Sequence, residues 1–306
     1  MRLASFRGPG GEPRTGAVVR DRVIDLTDFV ATLGVPADHA AALASRGLAA
    51  PPGGMLRLLY AGPQAMRQVA AHVEALSRDD AGRPLAETAL LAPIPRPGKV
   101  VAIGRNYADH AKETGVDPFE KPRIIAKLPS SVVGPGTVVR RPAPVTKLDF
   151  EAELAVIIGA FASSVPQARA LEVVAGYTAL DDVSAREFQF DVSPPQTTFA
   201  KSMDAFCPMG PWLVTRDEIP DPQTLEVACF VNGEAMQRGH TKDMIFPVDR
   251  LIAYITQYMT LEPGDVIATG TPAGVGAFRE PPVWLKPGDR VRIEVSRIGA
   301  LEHTIG

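Results

Sequence analysis

The segment Leu148-Asp-Phe-Glu-Ala-Glu-Leu-Ala-Val-Ile-Ile-Gly159 sets two carboxylates into an apolar run. Read as a strand, its alternation puts Phe150, Ala152, Leu154, Val156 and Ile158 on one face. Glu151 and Glu153 then share the other, with Cα atoms about 7 Å apart. Neighbouring carboxylates repel each other and resist burial, so the pair either lies solvated on an edge strand or holds a cation between its oxygens. Oxygen donors without His or Cys beside them suit Mg2+, Mn2+ or Ca2+ better than zinc. A third carboxylate, Asp182, lies in Gly176-Tyr-Thr-Ala-Leu-Asp-Asp-Val-Ser-Ala-Arg-Glu-Phe-Gln189, where a strand should end near Leu180 and a helix begin. On that helix Asp182, Arg186 and Gln189 fall at i, i+4 and i+7 on one face. Asp182 either caps the helix within a surface salt bridge or completes a cation cage with the two glutamates.

A base is available in Ile103-Gly-Arg-Asn-Tyr-Ala-Asp-His-Ala-Lys-Glu-Thr-Gly115. His110 and Glu113 stand at i, i+3 on a short helix that Gly115 can end. A carboxylate beside an imidazole raises its basicity and fixes its orientation, which suits a base that activates water; the alternative is an ordinary surface pair. Lys201 sits in the mainly apolar Phe199–Trp212 stretch, where an ammonium needs a negative partner or a ligand. Thr269-Gly-Thr-Pro-Ala-Gly-Val-Gly276 is a Gly-rich loop after a strand. It lacks the Lys-Ser/Thr pair of a phosphate loop and is not Gly-x-Gly-x-x-Gly, although its amides could hold a small carboxylate.

These groups must be positioned by a chain of 306 residues, long enough for one large domain or two smaller ones with a substantial core. Charge is nearly balanced, 32 basic against 35 acidic side chains, which excludes the basic excess of a nucleic-acid binder. Cys207 and Cys229 fit neither a metal-ligand spacing nor a disulfide framework. The first twenty residues contain no apolar signal region, and the longest apolar stretch, Leu154 to Ala162, is far short of a membrane span. A cytoplasmic protein is expected, with no membrane and no nucleic-acid partner. The 27 glycines and 29 prolines are dispersed, so they predict many tight turns.

Short strands are expected at Arg2–Phe6, Ala17–Arg20 and Val23–Leu26. Two or three helices should follow between Ala37 and Ser77, broken at Pro51-Pro52-Gly53-Gly54 and Gly62-Pro63. Ala92-Pro-Ile-Pro-Arg-Pro-Gly98 reads as a linker between a small N-terminal α+β domain, 1–92, and a larger domain, 98–306. Beyond it the pattern is mostly β: Val100–Ile103, Phe150–Ile158, Val173–Leu180, Pro211–Thr215, Leu225–Val231, Asp265–Thr269 and Arg290–Val295. Helices are expected at Tyr107–Thr114, Asp182–Phe190 and Val248–Thr260. Leu261-Glu-Pro-Gly-Asp265 and Leu285-Lys-Pro-Gly-Asp289 predict two similar strand entries.

Taken together, Gly104-Arg-Asn-Tyr-Ala-Asp-His110, Phe150-Glu-Ala-Glu-Leu154, Asp182-Val-Ser-Ala-Arg-Glu-Phe-Gln189, Ala200-Lys-Ser202 and Asp265-Val-Ile-Ala-Thr-Gly-Thr-Pro-Ala-Gly-Val-Gly276 resemble the fumarylacetoacetate hydrolase family. The resemblance runs from about residue 98 to 306 with its motifs in the expected order. It implies an α+β fold with a mixed β-roll, a homodimer, and bound Mg2+ or Mn2+ on Glu151, Glu153 and Asp182. It makes His110 and Glu113 the base dyad, on a helix that acts as a lid in relatives, and Lys201, Arg186 and Gln189 stabilisers of oxyanion charge. Arg105, Tyr107, Gly270 and Thr271 would contact a 2-oxo acid substrate. The additional aspartate ligand of the animal enzyme has no counterpart near Arg105-Asn106, so the chain resembles the small acylpyruvate-cleaving members. Lys127-Leu-Pro-Ser-Ser131 departs from relatives that carry proline after the lysine. The implied reaction is hydrolysis of a C–C bond in an acylpyruvate-type 2,4-dioxo acid. The alternatives are decarboxylation of oxaloacetate, or isomerisation or hydration of unsaturated 2-oxo diacids, on the same site.

Overall fold

A computed structural model of the chain describes residues 1–48, 53–77, 82–115 and 117–306. Its centre is the strand Ala152–Ile158, every residue of which is buried. The reason is position. Val174–Asp181 pairs antiparallel on one side and Val266–Ala268 antiparallel on the other. Both faces of the strand are then covered, which explains a continuous apolar run where a half-exposed strand would alternate. Leu154, Val156 and Ile158 enter one core, with Val227, Ile293 and Leu301 of a second sheet. Ala155 and Ile157 enter the other, with Leu58, Leu59 and Val69 from the N-terminal helices. The solvated-edge alternative for the glutamates is therefore excluded.

Among the described residues the main sheet has eleven strands. From Ala152–Ile158 it continues through Val266–Ala268 and Val100–Gly104 to Arg123–Lys127, and in the other direction through Val174–Asp181 and Cys207–Thr215. Residues 132–133 then pair parallel with Cys207–Thr215, so the chain leaving the Arg123–Lys127 edge returns to the far side and the sheet curls without closing into a barrel. The second sheet runs Glu234–His240, Glu226–Val231, Arg290–Val295, Gly299–Ile305 and residues 138–139. The N-terminal strand Arg2–Arg7 pairs antiparallel with Cys207–Thr215, and the hairpin partner Pro13–Val19 and the strand Arg22–Asp25 extend the same sheet outward. Ala92 and Ile94 of the Pro-rich 92–98 segment are packed into the second core.

The mixed α+β architecture agrees with the expected class, and most strands begin or end within a few residues of expectation. The Pro-Gly echo is real: Asp265 and Asp289 each accept the N–H of the residue three positions earlier, at 2.7 Å, and each turn feeds a strand. Three helices occupy Ala37–Ser77, namely Ala37–Ala44, Gly54–Tyr60 and Gly62–Ser77, so the expected break at Gly62-Pro63 is present, one helix ending at Tyr60 and the next opening at Gly62. Pro51 and Pro52 lie outside the described residues. The helix Thr27–Thr32 and the strands Arg123–Lys127, Glu234–His240 and Gly299–Ile305 were not anticipated. One had a plain signal: Asn232-Gly233, both at positive φ, joins Glu226–Val231 to Glu234–His240 as a two-residue hairpin turn. The clearest correction is at Asp182–Phe190. Only Glu187–Phe190 is helical, and residues 184–185 pair with 148–149. The N–H groups of Asp182 and Arg186 are taken by the carbonyls of Glu151 and Lys147, so ladder pairing overrides local helix preference. Among the described residues no helix is long and apolar enough to cross a membrane.

Candidate metal centre and active site

Register assembles the three carboxylates. Ala152 is the cross-strand partner of Asp181, so Glu151 and Asp182, one residue further on each strand, also lie opposite each other, joined by the Asp182 N–H to Glu151 carbonyl bond at 2.9 Å. Glu153 follows on the same face as Glu151. Ligand oxygens of Glu151, Glu153 and Asp182 lie within 4.8 Å of one another, and all three side chains are buried. On the other flank Ala155 pairs with Ala268, which carries the Thr269-Gly270-Thr271 turn past Glu153, and the Gly270 N–H donates to Glu153 Oε2 at 2.8 Å.

Three cations neutralise this cluster. Lys201 Nζ donates to Glu151 Oε2 at 2.8 Å, Asp182 Oδ2 at 2.6 Å and the Ser184 hydroxyl at 2.9 Å. Lys127 Nζ donates to Asp182 Oδ1 at 2.6 Å and to the carbonyls of Lys201 and Phe206. Arg186 pairs with Glu151 Oε1 at 2.7 Å and donates through Nε to Asp149 at 2.8 Å and through Nη1 to Gln189 at 2.9 Å. Burial works against the charge of Glu151, but Lys201 and Arg186 more than offset it and hold its carboxyl at about 2. Burial likewise opposes the Lys201 ammonium, and Asp182 and Glu151 reverse the effect and raise it. Glu153 is different. Burial, then the charges of Asp182 and Glu151, push its carboxyl well above the ordinary range. A dry carboxylate with one amide donor, beside two others, is where an added cation relieves the most repulsion. The all-oxygen donor set fits a hard divalent ion.

The expected His110–Glu113 contact is formed as well. His110 Nδ1 lies 2.9 Å from Glu113 Oε2 on the short helix Ala108–Glu113, and Glu113 Oε1 accepts the Gly274 N–H at 2.9 Å. The glutamate is thus anchored to the Gly-rich loop. His110, Glu151, Asp182, Arg186, Lys201 and Thr271 line one cavity of about 180 Å³, together with Arg105 and Gln189. Thr271 donates to the Ala152 carbonyl at 2.9 Å and accepts from Gln237 at 2.7 Å. Tyr107 and Gly270 are placed behind this wall. Tyr107 is fully buried in the first core, where burial above all, with Glu153 nearby, raises its phenol, and its hydroxyl has no hydrogen-bond partner among the described residues.

Two supporting residues were given no role in the sequence reading. Asp149, fully buried, accepts from Arg186 and from the N–H groups of Phe150, Gly276 and Ala277, tying the carboxylate strand to the Gly-rich loop. Burial raises its carboxyl despite Arg186. Lys127 is an ammonium at the end of Arg-Ile-Ile-Ala-Lys127; the reasoning that marked Lys201, a charge in an apolar setting, applies to it equally.

Comparison with known proteins fits this arrangement. The fumarylacetoacetate (FAA) hydrolase C-terminal family matches residues 99–306. The chain is 46% identical over 222 residues to the human protein named oxaloacetate tautomerase FAHD2A, mitochondrial, covering 72% of this chain and 71% of that one. Among solved structures, the maleylpyruvate hydrolase from Sphingobium sp. SYK-6, in complex with manganese(II) ion and pyruvate, is 32% identical with a TM-score of 0.76, covering 100% of this chain and 98% of its own. The 5-carboxymethyl-2-hydroxymuconate delta-isomerase from Mycobacterium smegmatis is 33% identical with a TM-score of 0.72, over the same shares of the two chains. Hydrolase, tautomerase and isomerase thus share one scaffold with this chain, which carries a buried carboxylate triad facing a His–Glu pair and belongs to the fumarylacetoacetate hydrolase family of enzymes.

Proposed function

We propose that this enzyme moves a proton at the carbon next to the keto group of a small 2-oxo acid, interconverting keto and enol forms of an oxaloacetate-type substrate. One observation carries the reading: the His110 imidazole, held by Glu113 at 2.9 Å, shares a cavity wall with Glu151 and Asp182. With Nδ1–H given to Glu113, Nε2 keeps its lone pair to take a proton and return it. A divalent ion, Mg2+ or Mn2+, held by Glu151, Glu153 and Asp182 would polarise the keto oxygen and acidify the neighbouring C–H. Lys201 and Arg186 keep the carboxylates ionised, and with Gln189 they offer N–H donors to oxygen that gains negative charge. Thr271, a buried residue that lines the same cavity, bounds the space available to the substrate. The cavity volume, about 180 Å³, is below the range of about 300–1,000 Å³ that suits drug-sized ligands, and it matches a short acid. The tautomerase name of the 46% identical relative supports the same chemistry. A homodimer acting in the cytoplasm, with no membrane or nucleic-acid partner, is part of the proposal, as is a division into units 1–92 and 98–306.

A second reading, hydrolysis of the C–C bond of an acylpyruvate, is favoured by the likeness to the maleylpyruvate hydrolase. There His110 would take its proton from water rather than carbon, and the hydroxide would attack the distal carbonyl. The test is proton NMR in D2O with Mg2+ or Mn2+, offering oxaloacetate, acetylpyruvate and fumarylpyruvate beside a Glu153→Ala control, with the enol absorbance followed in parallel. Faster ketonisation and deuterium exchange at C3 of oxaloacetate, lost in the control and without pyruvate release, supports the tautomerase. Pyruvate and a carboxylic acid from a diketo acid replaces it with the hydrolase. Pyruvate and CO2 from oxaloacetate replaces it with a decarboxylase.

A further inference from the structure

At the inner end of the cavity the carboxylates Glu151, Glu153, Asp182 and Asp149 face the cations Lys201, Lys127 and Arg186. The solvent end holds cations without such partners. Arg105 and Arg123 both line the cavity there, and among the described residues neither side chain has a carboxylate partner or a hydrogen bond. Their proximity is built into the sheet. Gly104, the neighbour of Arg105, is the cross-strand partner of Arg123, and the bare glycine lets the Arg123 stem lie over it: a Cβ on Gly104 would stand 3.3 Å from Arg123 Cδ. Arg105 follows at φ 55°, a left-handed conformation a non-glycine residue rarely adopts. Its guanidinium lies 5.6 Å from the Phe119 ring centroid. Burial, then the Arg123 charge, lowers the affinity of Arg105 for its proton, as expected for two like charges facing one space. Two guanidiniums without carboxylate partners, both lining the open end of the cavity, offer charged N–H donors to an anion.

We propose that Arg105 and Arg123 bind the distal carboxylate of the substrate, so that Arg123 selects 2-oxo diacids over 2-oxo monoacids. This rests on the reading above only in that the 2-oxo acid head lies at the inner, carboxylate end. Arg123 is exposed on an edge strand, so its replacement leaves the core intact.

The experiment is calorimetric binding of 2-oxoglutarate and 2-oxopentanoate, equal in chain length and differing in the distal carboxylate, to the full chain in Mg2+. Wild-type protein should bind the diacid about tenfold more tightly, the scale of a charge-assisted hydrogen-bonded pair. Arg123→Leu should remove that preference and leave monoacid affinity within about twofold, and Arg123→Lys should keep part of it. Equal binding of the two acids by wild type, no binding of either, or a preference that survives Arg123→Leu overturns the proposal. Turnover of oxaloacetate is scored separately. A diacid preference that depends on Arg123 in a protein inert toward oxaloacetate would sink the tautomerase and leave the subsite standing.

Discussion

In the proposed reaction His110 would move the proton and Glu153 would help to hold the cation. His110 is oriented by a glutamate that is itself tied to a backbone amide, so removing the imidazole should disable proton transfer without disturbing the carboxylates. We expect His110→Gln to lower kcat by about 10²–10⁴-fold, the usual contribution of a positioned base. Mn2+ affinity, followed by electron paramagnetic resonance, should stay within a few-fold of wild type. Glu153 is a dry carboxylate pressed against two others, with one amide donor. Its removal therefore has opposite effects on the two forms of the protein. In metal-free protein Glu153→Gln should raise stability by about 1–3 kcal/mol, the scale of a poorly compensated buried polar group. The same variant should lose most Mn2+ affinity. Denaturation with and without Mn2+ separates the two, and a metal-free variant less stable than wild type would mean that Glu153 has partners unaccounted for.

At the scale of elements, the site depends on what happens just beyond three strand ends. Glu151 precedes Ala152–Ile158, Asp182 follows Val174–Asp181, and Gly270 follows Val266–Ala268. The last turn is the tightest. Gly270 has φ 98°, and a Cβ there would stand 2.7 Å from the Asn106 Cβ and 3.0 Å from the Ile103 carbonyl oxygen. Asn106 cannot easily retreat, because its side chain bonds the Phe246 and Thr269 carbonyls and the Phe246 N–H. Gly270→Ala should destabilise the protein by about 1–3 kcal/mol through backbone strain, read as a lower urea midpoint with an unchanged slope. It should weaken metal binding too, because the Gly270 N–H holds Glu153. Unchanged metal affinity in a folded variant would detach this turn from the carboxylate cage.

For the whole molecule, the two cores meet at the central strand, and the triad lies where the sheet curls. A ligand that binds only the folded cage must stabilise the entire chain. At a hundredfold excess over Kd, Mg2+ or Mn2+ should add about 2.7 kcal/mol, and a chelator should take it away. Melting without any metal dependence would argue against the cage. The N-terminal strands are the other long-range feature. Arg2–Arg7 covers the Cys207–Thr215 strand, and the helix residues Leu58, Leu59 and Val69 cover Ala155 and Ile157. Removing residues 1–92 would open a sheet edge and an apolar face together, so the 98–306 piece should aggregate or self-associate. Gel filtration that finds it monodisperse and folded would instead show that the two units are energetically separable.

Much of this site is local information. Alternation along Phe150–Ile158 puts both glutamates on one face whatever the partner strands are, and the i, i+3 spacing of His110 and Glu113 puts them in contact on any short helix. The Asp182 region shows the limit: its residues favour a helix, yet strand pairing at Glu151 and Lys147 claims its backbone, and it is that pairing which brings Asp182 opposite Glu151. Lys127 lies 55 residues from its Asp182 partner and reaches it only because the sheet curls. Residue types and short-range spacing set the donor set, the base and the apolar faces, because these depend on one segment's own periodicity. Register, burial on both faces and the placement of neutralising cations depend on partners distant in the chain, so only the tertiary structure decided that three carboxylates would meet, and that two arginines would stand unpaired beside them.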